Sequence, residues 1–186
     1  THDVDEYLIF LGAGLPDMDW ALQGQGNRRN LQVQELQLGL LGGKVRGSAR
    51  IAWTPELEGQ LQLESEGLQL QPLLSDLPPS LDAKLTLEGR RDDRQWVLEH
   101  LRLALPDAGT QLHLNAAADL AEPQTPQLAA RLDWSGLRWP LTGRAQAGSP
   151  EGRLEVSGTP DAYRVELRAG LTSALPEPLQ LRLTGK

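Results

Sequence analysis

The chain has 186 residues, a formal net charge of −7, 39% hydrophobic and 4% aromatic content, and no cysteine. Its 18 basic residues are dispersed among 25 acidic ones, which leaves no cationic stripe for a phosphate backbone and excludes nucleic acid as an expected partner. The missing cysteine excludes a disulfide framework and thiol chemistry, and the most apolar run, Leu8-Ile9-Phe10-Leu11, falls far short of the roughly 20 residues of a membrane-spanning helix.

From the N-terminus, Tyr7, Leu8, Leu11 and Gly12 sit at helical spacing within residues 3–14 and predict a short helical element. Beyond it, apolar residues recur at every second position, a period that places them on one face of a strand. Clear examples are Leu36, Leu38 and Leu40; Ala49, Ile51 and Trp53; Leu101, Leu103 and Leu105; and Leu179, Leu181 and Leu183. Strands are predicted near 18–24, 30–41, 44–53, 57–64, 66–71, 81–89, 95–105, 110–120, 127–135, 137–147, 152–158, 162–172 and 178–185. A proline-bounded segment near 72–78 predicts one short helical turn.

Turn chemistry marks the breaks: Gly42-Gly43, Arg91-Asp92-Asp93-Arg94, Gly148-Ser149-Pro150 and Thr159-Pro160-Asp161, with Gly24-Gln25-Gly26-Asn27 as another hairpin turn. Connections this short predict an antiparallel meander. Without an initial Met or a closing feature at either end, residues 1–186 read as a single β-repeat segment of a longer protein. A loose repetition of Gly beside Arg near the ends of alternating runs agrees, without an exact repeat register.

Leucine supplies roughly a fifth of all residues, about twice its ordinary share. Leucine favours helix, yet the period of two persists over so many segments that it decides for strand. The fold class expected is therefore all-β, an elongated antiparallel sheet. Twelve or so strands about 4.8 Å apart span of order 60 Å. An open leucine stripe of that length exceeds what soluble monomers leave bare. Either the sheet folds over on itself as a dry β-sandwich, or it curls into a taco-like half-pipe with a hydrophobic interior that a ligand covers.

No catalytic, cofactor or metal set is expected. His2, His100 and His113 lack metal-ligand spacing, and Asp92-Asp93 and Asp17 with Asp19 lie where Asp caps turns. The expected lining of a trough is Leu38, Leu40, Ile51, Leu63, Leu87, Leu103, Leu114, Leu132, Leu154, Val156 and Leu167, with Trp53, Trp134 and Trp139 at constrictions. The five tryptophans mostly share the parity of their strands' leucines, so core packing and rim placement are both open to them.

Residues 134–141, Trp-Ser-Gly-Leu-Arg-Trp-Pro-Leu, and 151–163, Glu-Gly-Arg-Leu-Glu-Val-Ser-Gly-Thr-Pro-Asp-Ala-Tyr, followed by Val165, Leu167, Leu175-Pro176 and Leu181, resemble the TamB family, related to the AsmA-like group. The stretch from Leu38 to Trp53 is similar to another of its repeating units. The resemblance implies a periplasmic section of a Gram-negative protein anchored to the inner membrane. It implies a lipid conduit whose groove carries phospholipid acyl chains between the membranes, and an outer-membrane barrel partner, TamA, engaged by the full-length protein. The alternative it carries is a scaffold for outer-membrane protein assembly through strand-edge pairing. Neither role requires a catalytic residue.

Overall fold

The computed structural model describes residues 7–12, 19–54, 56–69, 79–122, 125–141, 145–172 and 179–185, with side chains described for 19–172 within those ranges. Twelve strands form one antiparallel sheet in strict chain order: β1 Tyr7–Gly12, β2 Asp19–Gly26, β3 Asn30–Leu40, β4 Gly43–Ala52, β5 Leu57–Leu68, β6 Leu81–Arg91, β7 Gln95–Leu105, β8 Thr110–Asp119, β9 Gln127–Trp139, β10 Ala147–Thr159, β11 Ala162–Ala169 and β12 Leu179–Gly185. The first and last strands do not pair, so the sheet is an open half-pipe rather than a barrel. Among the described residues there is no second layer: no side chain is fully buried, and only Val33, Val45, Leu81 and Ala169 of the apolar residues count as buried. The β-sandwich alternative is thereby excluded.

Polar side chains close the short turns. Asn27 Oδ1 accepts the N–H groups of Arg29 and Asn30, and Asp92 Oδ1 accepts those of Arg94 and Gln95 at 2.7 and 2.6 Å. These two donors hold the Asp92 carboxyl below its usual range. Leu41 and Gly42 both adopt positive φ, 50° and 71°, the primed geometry that suits a two-residue hairpin.

Five expectations change. Residues 7–12, read as helical, form β1, whose backbone pairs with Ala21–Gly26 of β2; a neighbouring edge outweighed local spacing. The turn expected at Gly24–Asn27 begins only at Asn27. The strands read as 57–64 and 66–71 are one, β5, with a register shift between Ser65 and Leu68 and Gly67 at φ 69°. Likewise 127–135 and the start of 137–147 merge into β9 through Gly136 at φ 65°, while Gly148-Ser149-Pro150 lies inside β10. Pro150 falls in the register opposite Gly136, where neither neighbour pairing includes it, so its missing N–H interrupts a ladder already broken. The segment near 72–78 lies outside the described residues.

Curvature comes from those irregularities. Register shifts fall at Gln23/Gly24, Val33/Leu36, Ser65/Leu68, Glu88/Gly89 and Leu98/Leu101, and each extra residue bends its strand. At the β7–β8 corner, the 3-10 turn Pro106–Ala108 ends on Gly109 at φ 66°, and the buried Thr110 hydroxyl donates to the Gly136 carbonyl at 2.8 Å. A Cβ on Gly136 would lie 2.1 Å from the Gly109 carbonyl oxygen, so both the backbone angle and the contact require glycine there.

Trp134 lies across the β9–β10 pair. Its ring occupies the space a Cβ of Gly152 would need, 2.1 Å from ring atom Cζ2, and its indole N–H donates to Ser149 Oγ at 2.8 Å. Gly152→Ala is expected to destabilise the chain by about 1–3 kcal/mol, and Trp134→Leu in the same chain should recover part of that loss. Urea unfolding of the single and double variants measures both, and strict additivity would contradict the contact.

Candidate functional site

Residues directly opposite one another on antiparallel strands face the same side. Following the pairing from strand to strand gives one row across the entire sheet: Ile9, Gly24, Val33, Ala49, Leu61, Leu87, Leu101, Leu114, Leu132, Leu154, Leu167 and Leu181. No polar residue interrupts it. A second row runs beside it through Leu22, Leu36, Gly47, Leu63, Leu85, Leu103, Leu112, Trp134, Gly152 and Ala169 of β2–β11, and a third through Gly26, Leu31, Ile51, Gly59, Gly89, Leu98, Ala116, Ala130, Val156 and Val165. Each bulge that bends a strand leaves the apolar side chains in phase, because the pairing slips by the residue the bulge adds.

The third row is the deep one. Its positions on β5, β6, β8 and β9 are Gly59, Gly89, Ala116 and Ala130, and a recess of about 760 Å³ opens above them, bounded by residues of β4 to β10. Its walls include Ile51, Leu57, Leu87, Trp96, Leu98, Leu128 and Val156. A Cβ on Gly59 would meet nothing within 4 Å, which marks the recess as real space over the sheet. The volume lies in the range of sites that hold small apolar ligands. Large apolar side chains left exposed gather along the same ends of the strands: Ile51, Trp53, Leu57, Trp96, Leu128 and Tyr163, with Trp96 at 51%. A contiguous exposed apolar margin of this kind marks a surface that meets something apolar.

Of the residues expected to line a trough, Ile51, Leu87 and Val156 border the recess. Leu114, Leu132, Leu154 and Leu167 continue the first row, Leu63, Leu103 and Trp134 belong to the second, and Leu38 pairs with Val45 on the same face. Leu40, Trp53 and Trp139 stand at strand ends with exposures of 36%, 45% and 46%. The Trp53 indole N–H donates to the Arg28 carbonyl at 2.7 Å. Trp96, one of the five tryptophans open to rim placement, also borders the recess, whereas sequence reasoning did not single out Leu57, Leu98 and Leu128 for the lining and missed above all the glycines and alanines that make it. Their signal was present as Gly59 and Gly89 at interior strand positions, where glycine otherwise weakens a strand.

The opposite face is polar. Lys84 pairs with Glu64 at 3.0 Å, and His100 Nε2 lies 3.4 Å from Glu88. Asp133 receives Arg131 Nε and Arg153 Nε, each at 2.7 Å. Among the described residues there is no cluster suited to a metal ion, and no helix long and apolar enough to cross a membrane.

Fold and face together define a single-layer antiparallel half-pipe with an apolar trough on one side and charge on the other. The family described as TamB, N-terminal domain, matches residues 7–106 and 107–186, and the chain belongs to that family. The boundary between the matched stretches falls at the Pro106–Ala108 turn, between β7 and β8. No curated protein and no solved structure gives a match.

The Arg131 hydrogen bond lowers the Asp133 pKa most; burial opposes it, and the bond from Arg153 with the charges of both arginines keeps the net direction downward. A carboxyl with a depressed folded pKa contributes stability that is present above its unfolded value, about 3.9, and is lost as pH falls through the lower folded value. Asp133→Asn is therefore expected to cost up to about 1 kcal/mol at neutral pH. The gap between wild type and variant should close as pH drops from about 4 toward 2, as followed by denaturant titration across pH.

Proposed function

We propose that this chain is a section of a lipid conduit, its trough carrying phospholipid acyl chains while their headgroups stay in water along the open side. The observation that carries the reading is the uninterrupted apolar row through all twelve strands. Eleven strand spacings of about 4.8 Å give a path of roughly 53 Å. One acyl tail spans about 15 Å, half of a bilayer's hydrocarbon core. A site for one bound molecule needs no such length. A path along which tails slide does.

Each buried CH₂ contributes about 0.8 kcal/mol wherever along the row it lies. A tail moving one strand spacing exchanges one set of leucines for another, so its energy changes little. The absence of catalytic chemistry from this reading suits a passive carrier. Membership of the TamB family supports the wider setting: a periplasmic section of a protein anchored to the inner membrane, joined through the full-length chain to the outer-membrane barrel TamA.

A photo-crosslinking residue at Leu87, on the apolar face, should capture lipid in cells, whereas one at the adjacent Thr86, on the polar face, should not. If the chain instead acts as a scaffold that pairs client strands along β1 or β12, neither position will carry lipid, and that result overturns the conduit. Gly59→Leu, whose Cβ would meet nothing within 4 Å, should displace one or two CH₂ groups of bound tail. Lipid co-purifying with the chain is then expected to fall by about four- to fifteenfold, with the unfolding midpoint unchanged.

A further inference from the structure

Beside the third row runs a fourth, in register from strand to strand: Leu57, Arg91, Trp96, Ala118, Leu128, Gly158 and Tyr163. Arg91 is a charged residue that the strand registers place on the apolar face, and it borders the recess. Its guanidinium carbon lies 4.8 Å from the centre of the Trp96 ring. The arginines of the polar face behave differently. Arg90, one residue earlier, pairs with Glu99 at 3.3 Å, and Arg131 and Arg153 share Asp133. Among the described residues Arg91 has no carboxylate partner.

A guanidinium set over an indole ring spends none of its N–H donors on a hydrogen-bond acceptor, so the fork stays available to another group. Here that fork is held at the lip of an apolar recess, beside exposed Trp96 and Leu128. The geometry points to Arg91 as a headgroup anchor: a lipid whose tail enters the recess presents its anionic oxygens, carboxylate or phosphate, to this fork. The assignment rests on the trough taking acyl chains and adds to it a preference for anionic lipids at one station along the path. Two oxygens of either group match the two parallel donors of arginine.

The experiment titrates the full chain with palmitate, dipalmitoyl phosphatidylglycerol and uncharged monopalmitin. Arg91→Gln is expected to weaken one or both anionic probes by about fivefold while leaving monopalmitin unchanged. Loss for palmitate alone identifies the carboxylate source, and loss for phosphatidylglycerol alone the phosphate source. Arg91→Lys should retain the preference, and in wild type it should fade near 1 M salt, where screening acts within about 3 Å. If monopalmitin and both anions bind wild type and Arg91→Gln alike, or the wild-type preference ignores salt, the anchor is wrong and the trough stands. If wild type binds none of the three, the trough itself falls and the anchor with it.

Discussion

Everything in this fold depends on phase. With a side-chain period of two, a slip of one residue between any neighbouring strands would turn all that follows inside out. Twelve strands keep the same face apolar across eleven junctions. Short turns enforce this, since Leu41-Gly42 and Pro160-Asp161 leave the chain no slack in which to slip. The bulges obey the same constraint: where β7 gains a residue between Leu98 and Leu101, the pairing with β8 shifts so that Ala116 and Leu114 still fall beneath the apolar side chains. A strand can bend without inverting because the extra residue is absorbed where it occurs.

Bending and side-chain size then divide the work of making a hollow. Curvature alone would let leucines from neighbouring strands fill the concavity, as they do along the second row, where Leu63, Leu85, Leu103 and Leu112 stand side by side. One row further on, Gly59, Gly89, Ala116 and Ala130 have little or nothing to put there, and the recess opens. Each such glycine costs roughly 0.5–1 kcal/mol relative to alanine in a strand or helix interior. Accepting that cost at two paired positions, Gly59 opposite Gly89, is what a space for something other than the chain requires.

The alternation was legible because it is a local property of the sequence, repeated in segment after segment, and it located most strands and the one-sided wall of leucine. It misled where a neighbouring strand overrode a local pattern. Tyr7–Gly12 contains a helical spacing of apolar residues, yet it supplies an edge for β2. Ser65 and Gly136 fall between expected strands, yet each lies inside a continuous one. The recess was harder to see, since it consists of side chains that are absent, and the hydrophobic pattern weighs Gly and Ala least. Arg91 was hidden for a related reason: as part of Arg91-Asp92-Asp93-Arg94 it reads as turn, and only the pairing with Leu57 and Trp96 puts it on the inner face.

The inner face itself weighs against closing the sheet into two layers. Folding it over to bury the leucines from both halves would form a sandwich only if the outer face met water throughout, as it already does, and if the two inner halves interlocked. Rows carrying Leu, Trp, Gly and Ala in an irregular order present no complementary knobs and holes, while Arg91 would be sealed among apolar side chains without a carboxylate. Burying an unpaired charge costs several kcal/mol, against about 1.5–3 kcal/mol gained for each leucine fully covered. That one residue does not by itself forbid closure, but it removes the benefit of a leucine or two at the position where the lips would meet. The lipid proposed above would resolve the same conflict differently, since its tail would cover the leucines while its anionic end answered the arginine at the edge of water.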